Sequence, residues 1–141
     1  MFTGIITEIG TVTQARRMGG GIHFSIAAPG SAEELHVNDS ISVNGVCLTI
    51  VQCGNRNFEV EAVEETLEKT TLGQLRPESP VNLELPVRMA DRLGGHLVLG
   101  HVDCTGTVRD LVEQANSRLL TVEFPEEFAR YVIPVGSVAM D

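Results

Sequence analysis

The chain has 141 residues, 43% of them hydrophobic, which is enough to build the core of one ordinary domain or of two small ones. Ten basic residues against 19 acidic ones give a formal net charge of −9, and the basic residues are scattered, which argues against binding to nucleic acid or to an anionic membrane. No signal-peptide pattern opens the sequence and no apolar run approaches the length of a membrane span, so the sequence predicts a cytoplasmic protein.

The predicted secondary structure is almost entirely β. Fourteen glycines and six prolines separate short runs rich in β-branched residues. The expected strands lie near residues 3–14, 22–28, 40–45, 47–53, 57–63 and 80–87. The turn residues CGNRN at 53–57 indicate a hairpin, and EETLEKTTLGQL at 64–75 predicts a short helix that caps the sheet. So small a sheet satisfies its edges best by closing, and the sequence therefore predicts a six-stranded Greek-key barrel.

The sequence also contains an internal similarity at an offset of 96 residues. TGIITEIGTV at 3–12 aligns without a gap with LGHVDCTGTV at 99–108, and HFSIAAP at 23–29 aligns with LLTVEFP at 119–125. After one inserted residue, SISVN at 40–44 aligns with SVAMD at 137–141, so GSVAMD is predicted to begin a strand. We expect a complete barrel over 1–97 and an incomplete second copy over 98–141. Chance similarity between short β segments is the alternative.

Two groups of side chains in the first barrel are candidates for chemistry. In VNGVCLTI at 43–50, Asn-Gly permits a tight backbone approach, and Cys47 and Thr49 share one face of the next strand. A buried filler cysteine and an ordinary strand threonine would give the same pattern. Glu61, Glu64 and Glu65 stand near a strand end, where carboxylates could bind the polar edge of a small heterocycle. Solvated surface acids are the alternative.

Neither the histidines nor the cysteines form a pattern that predicts a metal site or a disulfide. His96 and His101 are five residues apart, so on a strand they face opposite sides and do not bind one metal. His101 stands where the first copy has Ile5, a polar substitution that indicates a task, although an exposed loop histidine is the alternative. The three cysteines are odd in number and form no Cys-x-x-Cys pair, so we expect free thiols.

Five motifs in order, namely MFTGI, NGVCLT, EETLEKTTLG, GGHLVLGHVD and GSVAMD, resemble the riboflavin synthase α-chain family over the whole chain. The resemblance implies tandem six-stranded barrels and a transferase of riboflavin biosynthesis that uses no cofactor and no metal. In the implied reaction, one 6,7-dimethyl-8-ribityllumazine gives a four-carbon unit to another, yielding riboflavin and 5-amino-6-ribitylamino-pyrimidinedione. It also implies a homotrimer whose site combines the first barrel of one subunit with the second barrel of a neighbour.

The same resemblance implies the site residues. Cys47 and His101 are the implied catalytic residues, with His101 moving protons and Cys47 either assisting addition at the ring or packing against it. Phe2 matches the family's N-terminal phenylalanine and is expected to close over a ring. The implied ligand-binding residues are Gly4, Ile5, Ile6, Cys47, Leu48, Thr49, Glu61, Ala62, Val63, Glu64, Glu65, Thr66, Gly100, His101 and Val102.

Two departures from the family pattern qualify the expected activity. Val135 stands where the family usually has lysine, and the second barrel's counterpart of GVCLT is absent. We therefore expect the 141-residue chain alone to be inactive. A non-catalytic lumazine- or flavin-binding protein of the same family is the alternative, and the presence of both a thiol and an imidazole favours the enzyme.

Overall fold

Six antiparallel β-strands close into a barrel in the computed structural model, which describes all residues from 1 to 141. The strands are β1 (Glu8–Met18), β2 (Gly21–Ala27), β3 (Ser40–Val43), β4 (Val46–Cys53), β5 (Asn57–Val63) and β6 (Pro80–Glu84). Their order around the barrel is β1-β2-β5-β4-β3-β6, so each strand pairs with its two neighbours in this order, and β6 pairs with β1 to close the barrel. The predicted all-β class and the closed six-stranded barrel are confirmed.

Alternating side chains of each strand fill the barrel interior. On β2 the inward residues are Ile22, Phe24 and Ile26, and the register sets them opposite Ala62, Val60 and Phe58 of β5. Each of these side chains is at most 5% exposed. Burial of a large apolar side chain stabilises the fold by about 1.5–3 kcal/mol, so this paired interior holds the two halves of the barrel together.

A helical segment lies between β5 and β6. The helix α1 (Glu64–Lys69) is shorter than the helix predicted over 64–75, because Thr70 adopts an extended conformation. A 3-10 turn (Leu72–Gln74) follows it. Leu72 is fully buried in the core, and Leu67 and Leu75 pack against that core. The segment therefore packs against the barrel core as a short helix and a 3-10 turn, and its predicted capping role stays a prediction.

The first strand begins later than the sequence predicts. Residues 3–7 were expected in a strand from residue 3, yet β1 starts at Glu8. The backbone N–H groups of Thr3 and Gly4 donate instead to the carboxylate of Glu84, at 2.5 and 3.1 Å. A side chain thus satisfies donors that a strand would use in its ladder. At the same end of the barrel, β6 stops at Glu84 and not at residue 87.

A separate hairpin follows the barrel. It consists of β7 (Thr107–Glu113) and β8 (Arg118–Glu123), and a 3-10 helix (Glu126–Tyr131) comes after it. Each β7–β8 residue pair equals a β1–β2 pair shifted by 96 positions, from Thr107↔Glu123 onward. The register irregularity between Val108 and Asp110 also has its counterpart 96 residues earlier. Unlike β2, the strands of this hairpin are almost entirely exposed.

Residues 136–141 form no strand, contrary to the prediction for GSVAMD. Val135 has a φ of +62°, which turns the chain out of the extended conformation just before this segment. Both edges of β6, the strand nearest to Asp141, are already paired with β1 and β3. Asp141 is instead held by its carboxylate, which accepts hydrogen bonds from the Asn82 amide at 3.0 Å.

The chain divides into two units by internal contacts. The first contains Met1–Val102 with Ala139–Asp141, and the second contains Asp103–Val138. The division into domains at residues 97 and 98 stays a prediction from the sequence. A membrane-spanning helix is not found, since each helix is too short and too polar to cross a bilayer.

Candidate functional site

The pairing between β4 and β5 stops partway along the two strands. It runs from Cys53↔Phe58 to Ile50↔Val60 and goes no further. Beyond that point, β4 pairs only with β3 and β5 pairs only with β2. The first half of β4 and the last residues of β5 are therefore not joined by ladder pairs, and this unpaired part of the barrel wall is here called the opening.

The outer face of β4 at this opening carries the predicted thiol and hydroxyl. Val46, Leu48 and Ile50 are buried, whereas Cys47 is half-buried and Thr49 is exposed. The prediction that Cys47 and Thr49 share a face is confirmed. Leu48 points into the core, so only its backbone is within reach of a molecule on the outer face.

The other side of the opening is formed by the end of β5 and the start of α1. Glu61, Val63, Glu64 and Glu65 are exposed, and Thr66 is half-buried. The side chain of Ala62 lies in the core and is 1% exposed. Lys69 forms an ion pair with Glu65 at 2.6 Å, and the hydrogen bond and the positive charge lower the pKa of the Glu65 carboxyl. This side is thus acidic, ordered by short-range contacts and open to solvent.

A later segment of the chain lies against β4. The carbonyl of Gly100 accepts a hydrogen bond from the N–H of Cys47 at 2.8 Å. Gly100 has a φ of +77°, and a Cβ at this position would lie 2.9 Å from Cys47 Cβ and 3.1 Å from the Phe2 ring. Only glycine fits so close an approach. Beyond it, His101 is exposed and Val102 packs against the core.

The N-terminal segment pairs with the same later segment. Phe2 and Val98 exchange backbone hydrogen bonds of 2.7 and 3.0 Å in an isolated antiparallel bridge. The Phe2 side chain is 1% exposed, so it fills the interior and is not free to close over a ring on the surface. Gly4 has a φ of +79°, close to that of Gly100, and Ile5 is half exposed. The segments around Phe2, Cys47 and Gly100 therefore meet.

The comparisons with known proteins agree on one family. The family profile described as "Lumazine binding domain" matches residues 3–86. A riboflavin synthase of Mycobacterium tuberculosis is 40% identical over 142 residues, which cover 100% of this chain and 71% of the relative. The chain belongs to the riboflavin synthase family. A riboflavin synthase of Actinobacillus pleuropneumoniae is 38% identical over 141 residues, or 100% of this chain and 66% of the relative. This member of the family thus spans about two thirds of the length of these relatives.

Solved structures of LumP share the fold. A crystal structure of LumP complexed with riboflavin superimposes with a TM-score of 0.81 at 21% sequence identity, covering 94% of this chain and 72% of that one. LumP complexed with 6,7-dimethyl-8-(1'-D-ribityl) lumazine gives a TM-score of 0.79 at 22% identity, covering 90% and 71%. At these identities the similarity establishes the fold of this chain and nothing further.

Two residues that the sequence did not single out connect segments near the candidate site. Glu84 is 4% exposed, and its carboxylate accepts hydrogen bonds from Thr3 N, Thr3 Oγ1 and Gly4 N. It therefore anchors the N-terminal segment that pairs with Val98. His23 on β2 contacts two carboxylates of β5 through its two ring nitrogens. Both contacts join positions far apart in sequence, and no local pattern marks them.

The three cysteines are free and differ in their surroundings. Burial, followed by the nearby Asp39 carboxylate, raises the pKa of the Cys53 thiol. Burial and the acidic neighbours Asp103 and Glu127 raise the pKa of the Cys104 thiol. Of the three cysteines, only Cys47 borders the opening between β4 and β5.

Several of the candidate site residues, among them Thr49, Glu61 and His101, are exposed. Two concavities lie elsewhere, one of about 350 Å³ beside β6 and one of about 480 Å³ at the tip of the β7–β8 hairpin. The first is lined by Glu34, Leu35, His36, Asp39, Leu85, Pro86, Val87 and Arg88. Neither concavity includes a residue that the family resemblance implies.

Proposed function

We propose that this chain is the lumazine-binding portion of a riboflavin synthase, a transferase of riboflavin biosynthesis. The observation that carries the proposal is the opening between β4 and β5, with Cys47 and Thr49 on one side and the Glu61–Thr66 segment on the other. The Thr49 hydroxyl, together with backbone groups at the opening other than the Cys47 N–H, which Gly100 already holds, suits the polar edge of 6,7-dimethyl-8-ribityllumazine. The alternating β4 pattern leaves both side chains on the outer face, where a planar ring has room to lie.

The proposed reaction is a dismutation between two lumazines. One substrate molecule gives up its four-carbon unit and becomes 5-amino-6-ribitylamino-pyrimidinedione, while the other gains that unit and becomes riboflavin. The two products together hold all the atoms of the two substrates, so the reaction needs no external oxidant, reductant or cofactor. The protein's tasks are to hold two rings face to face and to move protons, which the exposed His101 imidazole is suited to do.

The second lumazine needs a second binding surface, and this chain contains only part of the second barrel that would supply it. The β7–β8 hairpin has the register of β1–β2 at a constant offset of 96 residues, including its irregularity, which supports an internal duplication of the barrel. We propose a homotrimer of the full-length protein in which the second barrel of a neighbouring subunit covers the opening. The exposure of the candidate site residues is the reason for this proposal. Cytoplasmic location stays a prediction from the sequence.

Fluorescence titration of riboflavin with the 141-residue chain tests the binding site. We expect the flavin emission to be quenched or shifted at micromolar protein, and Thr49→Val to weaken binding by about 1 kcal/mol, or about fivefold, through one lost hydrogen bond. Thr121→Val on the exposed β8 strand is the matched control and should leave the affinity unchanged. An unchanged flavin spectrum at high micromolar wild-type protein would refute the proposed site.

Turnover of the full-length protein separates the enzyme from a non-catalytic binding protein. Riboflavin formation from the lumazine is followed by absorbance, and His101→Ala should lower kcat far more than it raises KM if the imidazole moves a proton in the transition state. Equal effects on both constants would make His101 a positioning residue. Binding of lumazine without any product would favour the flavin-binding alternative. For the 141-residue chain alone, we expect binding and negligible turnover.

A further inference from the structure

One buried carboxylate holds the first residues of the chain. Glu84 is the last residue of β6 and is 4% exposed. Its Oε1 accepts hydrogen bonds from Thr3 N at 2.5 Å and from Thr3 Oγ1 at 2.7 Å, and its Oε2 accepts one from Gly4 N at 3.1 Å. The Thr3 hydroxyl in turn accepts a hydrogen bond from Ile5 N at 3.2 Å. Residues 3–5 are therefore fixed to the end of a barrel strand by connected hydrogen bonds.

The fixed N-terminal segment holds a later part of the chain. The carbonyl of Thr3 accepts a hydrogen bond from His96 N at 2.9 Å. A Cβ on Gly95 would lie 2.3 Å from the Thr3 carbonyl oxygen and 3.3 Å from Ile5 Cγ1, so the later segment lies directly against the N-terminal turn. The path of residues 95–98 therefore depends on the turn that the carboxylate fixes.

The same later segment covers the thiol at the candidate site. After its backbone bridge to Phe2, its Gly100 carbonyl accepts the hydrogen bond of Cys47 N at 2.8 Å. A Cβ on Gly100 would lie only 2.9 Å from Cys47 Cβ, so the backbone there lies directly on the cysteine. His101 follows immediately and is exposed. Contacts thus run without interruption from Glu84 to both proposed catalytic residues.

We propose that Glu84 is a positioning residue for the ligand site: through the N-terminal segment it holds Gly100 against Cys47. The same contacts set the position of His101, one residue further on. Glu84 acts at a distance, because β3 lies between β6 and the opening. The inference rests on the proposed function where it concerns the ligand. Its consequence is that loss of the Glu84 contacts uncovers Cys47 and weakens riboflavin binding while the barrel stays folded.

Alkylation of the 141-residue chain by iodoacetamide, followed by peptide mass spectrometry, tests the cover over the thiol. In Glu84→Gln, the new NH2 group cannot accept the hydrogen bond that Gly4 N donates to the carboxylate. Cys47 should then react about fivefold faster than in the wild type, the effect of one net hydrogen bond on a local opening. Cys53, on the same strand and outside the covered part, should react at its wild-type rate, whereas general unfolding would expose both thiols.

Glu8→Gln is the matched control. The Glu8 carboxylate also holds backbone N–H groups, those of Gly30 and Ser31 at 3.1 and 2.6 Å, but in a different segment of the chain. This variant removes a comparable anchor and should leave the alkylation rate of Cys47 unchanged. The comparison separates the position of this one carboxylate from a general loss of stability.

A milder pair of variants keeps the test decisive if Glu84→Gln does not fold. Thr3→Val keeps the shape of the side chain and removes the hydroxyl that joins Glu84 to Ile5 N. We expect it to raise the alkylation rate of Cys47 about fivefold as well. Thr3→Ser retains the hydroxyl and should react like the wild type.

Riboflavin titration of the same proteins tests the effect on the ligand site. Glu84→Gln and Thr3→Val should bind riboflavin about fivefold more weakly than the wild type, and Glu8→Gln should bind with wild-type affinity. An unchanged Cys47 rate, an equal acceleration at Cys53, or an unchanged riboflavin affinity in the folded variants overturns the inference. A wild-type chain that does not bind riboflavin overturns the proposed function, and the alkylation rates then still decide whether Glu84 holds the cover over Cys47.

Discussion

The β1–β2 and β7–β8 hairpins have the same register and opposite environments. Val12 of β1 is fully buried, whereas Val108, 96 residues later, is 58% exposed. Both strands carry their register irregularity at the same place. The comparison teaches that the pairing of a hairpin is set by its own turn and irregularity, while its burial depends on strands from elsewhere in the barrel.

A glycine is required at the same place in both hairpins. A Cβ on Gly10 would lie 2.7 Å from Leu83 Cδ1 and 3.0 Å from Ile26 Cγ2. A Cβ on Gly106 would lie 2.8 Å from Val122 Cγ1, the counterpart of Ile26. The close approach within the hairpin is shared, and the contact with a third strand, through Leu83 of β6, exists only in the barrel.

Hydrogen exchange should separate the two hairpins most strongly. Amide protons in the ladder between β2 and β5 should exchange at least about a thousandfold more slowly than those between β7 and β8, because the former open only with the barrel. An isolated two-stranded ladder is marginally stable in water. Residue-resolved exchange by NMR measures both in one sample. Comparable protection would mean that the second hairpin is held by contacts that its exposed surface does not reveal.

Truncation of equivalent core positions should give the largest difference in stability. Phe24 is 1% exposed, and Phe24→Ala should lower the free energy of unfolding of the barrel by about 3–5 kcal/mol. Leu120 is its counterpart at 38% exposure, and Leu120→Ala should cost less than about 1 kcal/mol. Urea denaturation of the two variants measures this. Equal losses would show that the β8 face is buried in solution.

Alanine at Gly10 and at Gly106 tests whether only the first hairpin packs against a third strand. Gly10→Ala should destabilise the barrel by about 1–3 kcal/mol, since the new methyl group is trapped between Leu83 and Ile26. Gly106→Ala should leave the urea midpoint of the barrel unchanged and alter only the chemical shifts of the hairpin, because its Cβ meets no residue of a third strand. A barrel midpoint lowered by Gly106→Ala would couple the two units energetically.

The smallest expected effect concerns Glu8, which lies two residues before Gly10 at the start of β1. Burial of Glu8 opposes ionisation, but hydrogen bonds from the Ser31 side chain and from the N–H groups of Gly30 and Ser31 outweigh it and lower the pKa of the Glu8 carboxyl. A lowered pKa in the folded state stabilises the fold above the ordinary carboxyl value of about 4.3 and ceases to do so as the pH falls through the folded value.

Glu8→Gln should therefore lower the stability of the barrel by about 1 kcal/mol at pH 7, and the difference from the wild type should disappear as the medium becomes strongly acidic. Thermal denaturation across a pH series measures it. The matched control is Cys104→Ser at the corresponding position of the second hairpin, which should show no acid-dependent effect on the barrel. A Glu8→Gln deficit that persists unchanged in acid would assign the effect to packing and not to charge.

Much of the barrel could be predicted because alternation is a local property. The bounds of β2, β4 and β5 were predicted to within about one residue, since buried and exposed side chains alternate along them. The predicted start of β1 was wrong. Ile5 and Ile6 continue the strand pattern, but the N–H groups of Thr3 and Gly4 donate to Glu84, some 80 residues away. The strand predicted at GSVAMD was wrong for a related reason, because an alternating sequence pattern does not supply a partner strand.

The candidate site was predictable only in part. The motif NGVCLT placed Cys47 and Thr49 correctly on one face, because side-chain direction along a strand follows from the sequence. The opening itself depends on where the β4–β5 ladder stops, and the contact of Gly100 with Cys47 depends on the path of the chain after β6. The bridge between His23 and its two carboxylates requires the β2–β5 register, which no single segment specifies. Ligand binding by the implied residues stays a prediction.

The bridge between Phe2 and Val98 has a consequence for how the protein is produced. Phe2 is buried, and the carbonyl of Met1 accepts a hydrogen bond from Val87 N at 3.0 Å, so the chain is already committed to backbone pairing from its first residue. Residues fused before Met1 would adjoin backbone that is already paired, so an affinity tag needs a flexible linker between it and this segment. A tag-free N-terminus, or removal of the tag up to Met1, is the appropriate starting material for flavin titrations.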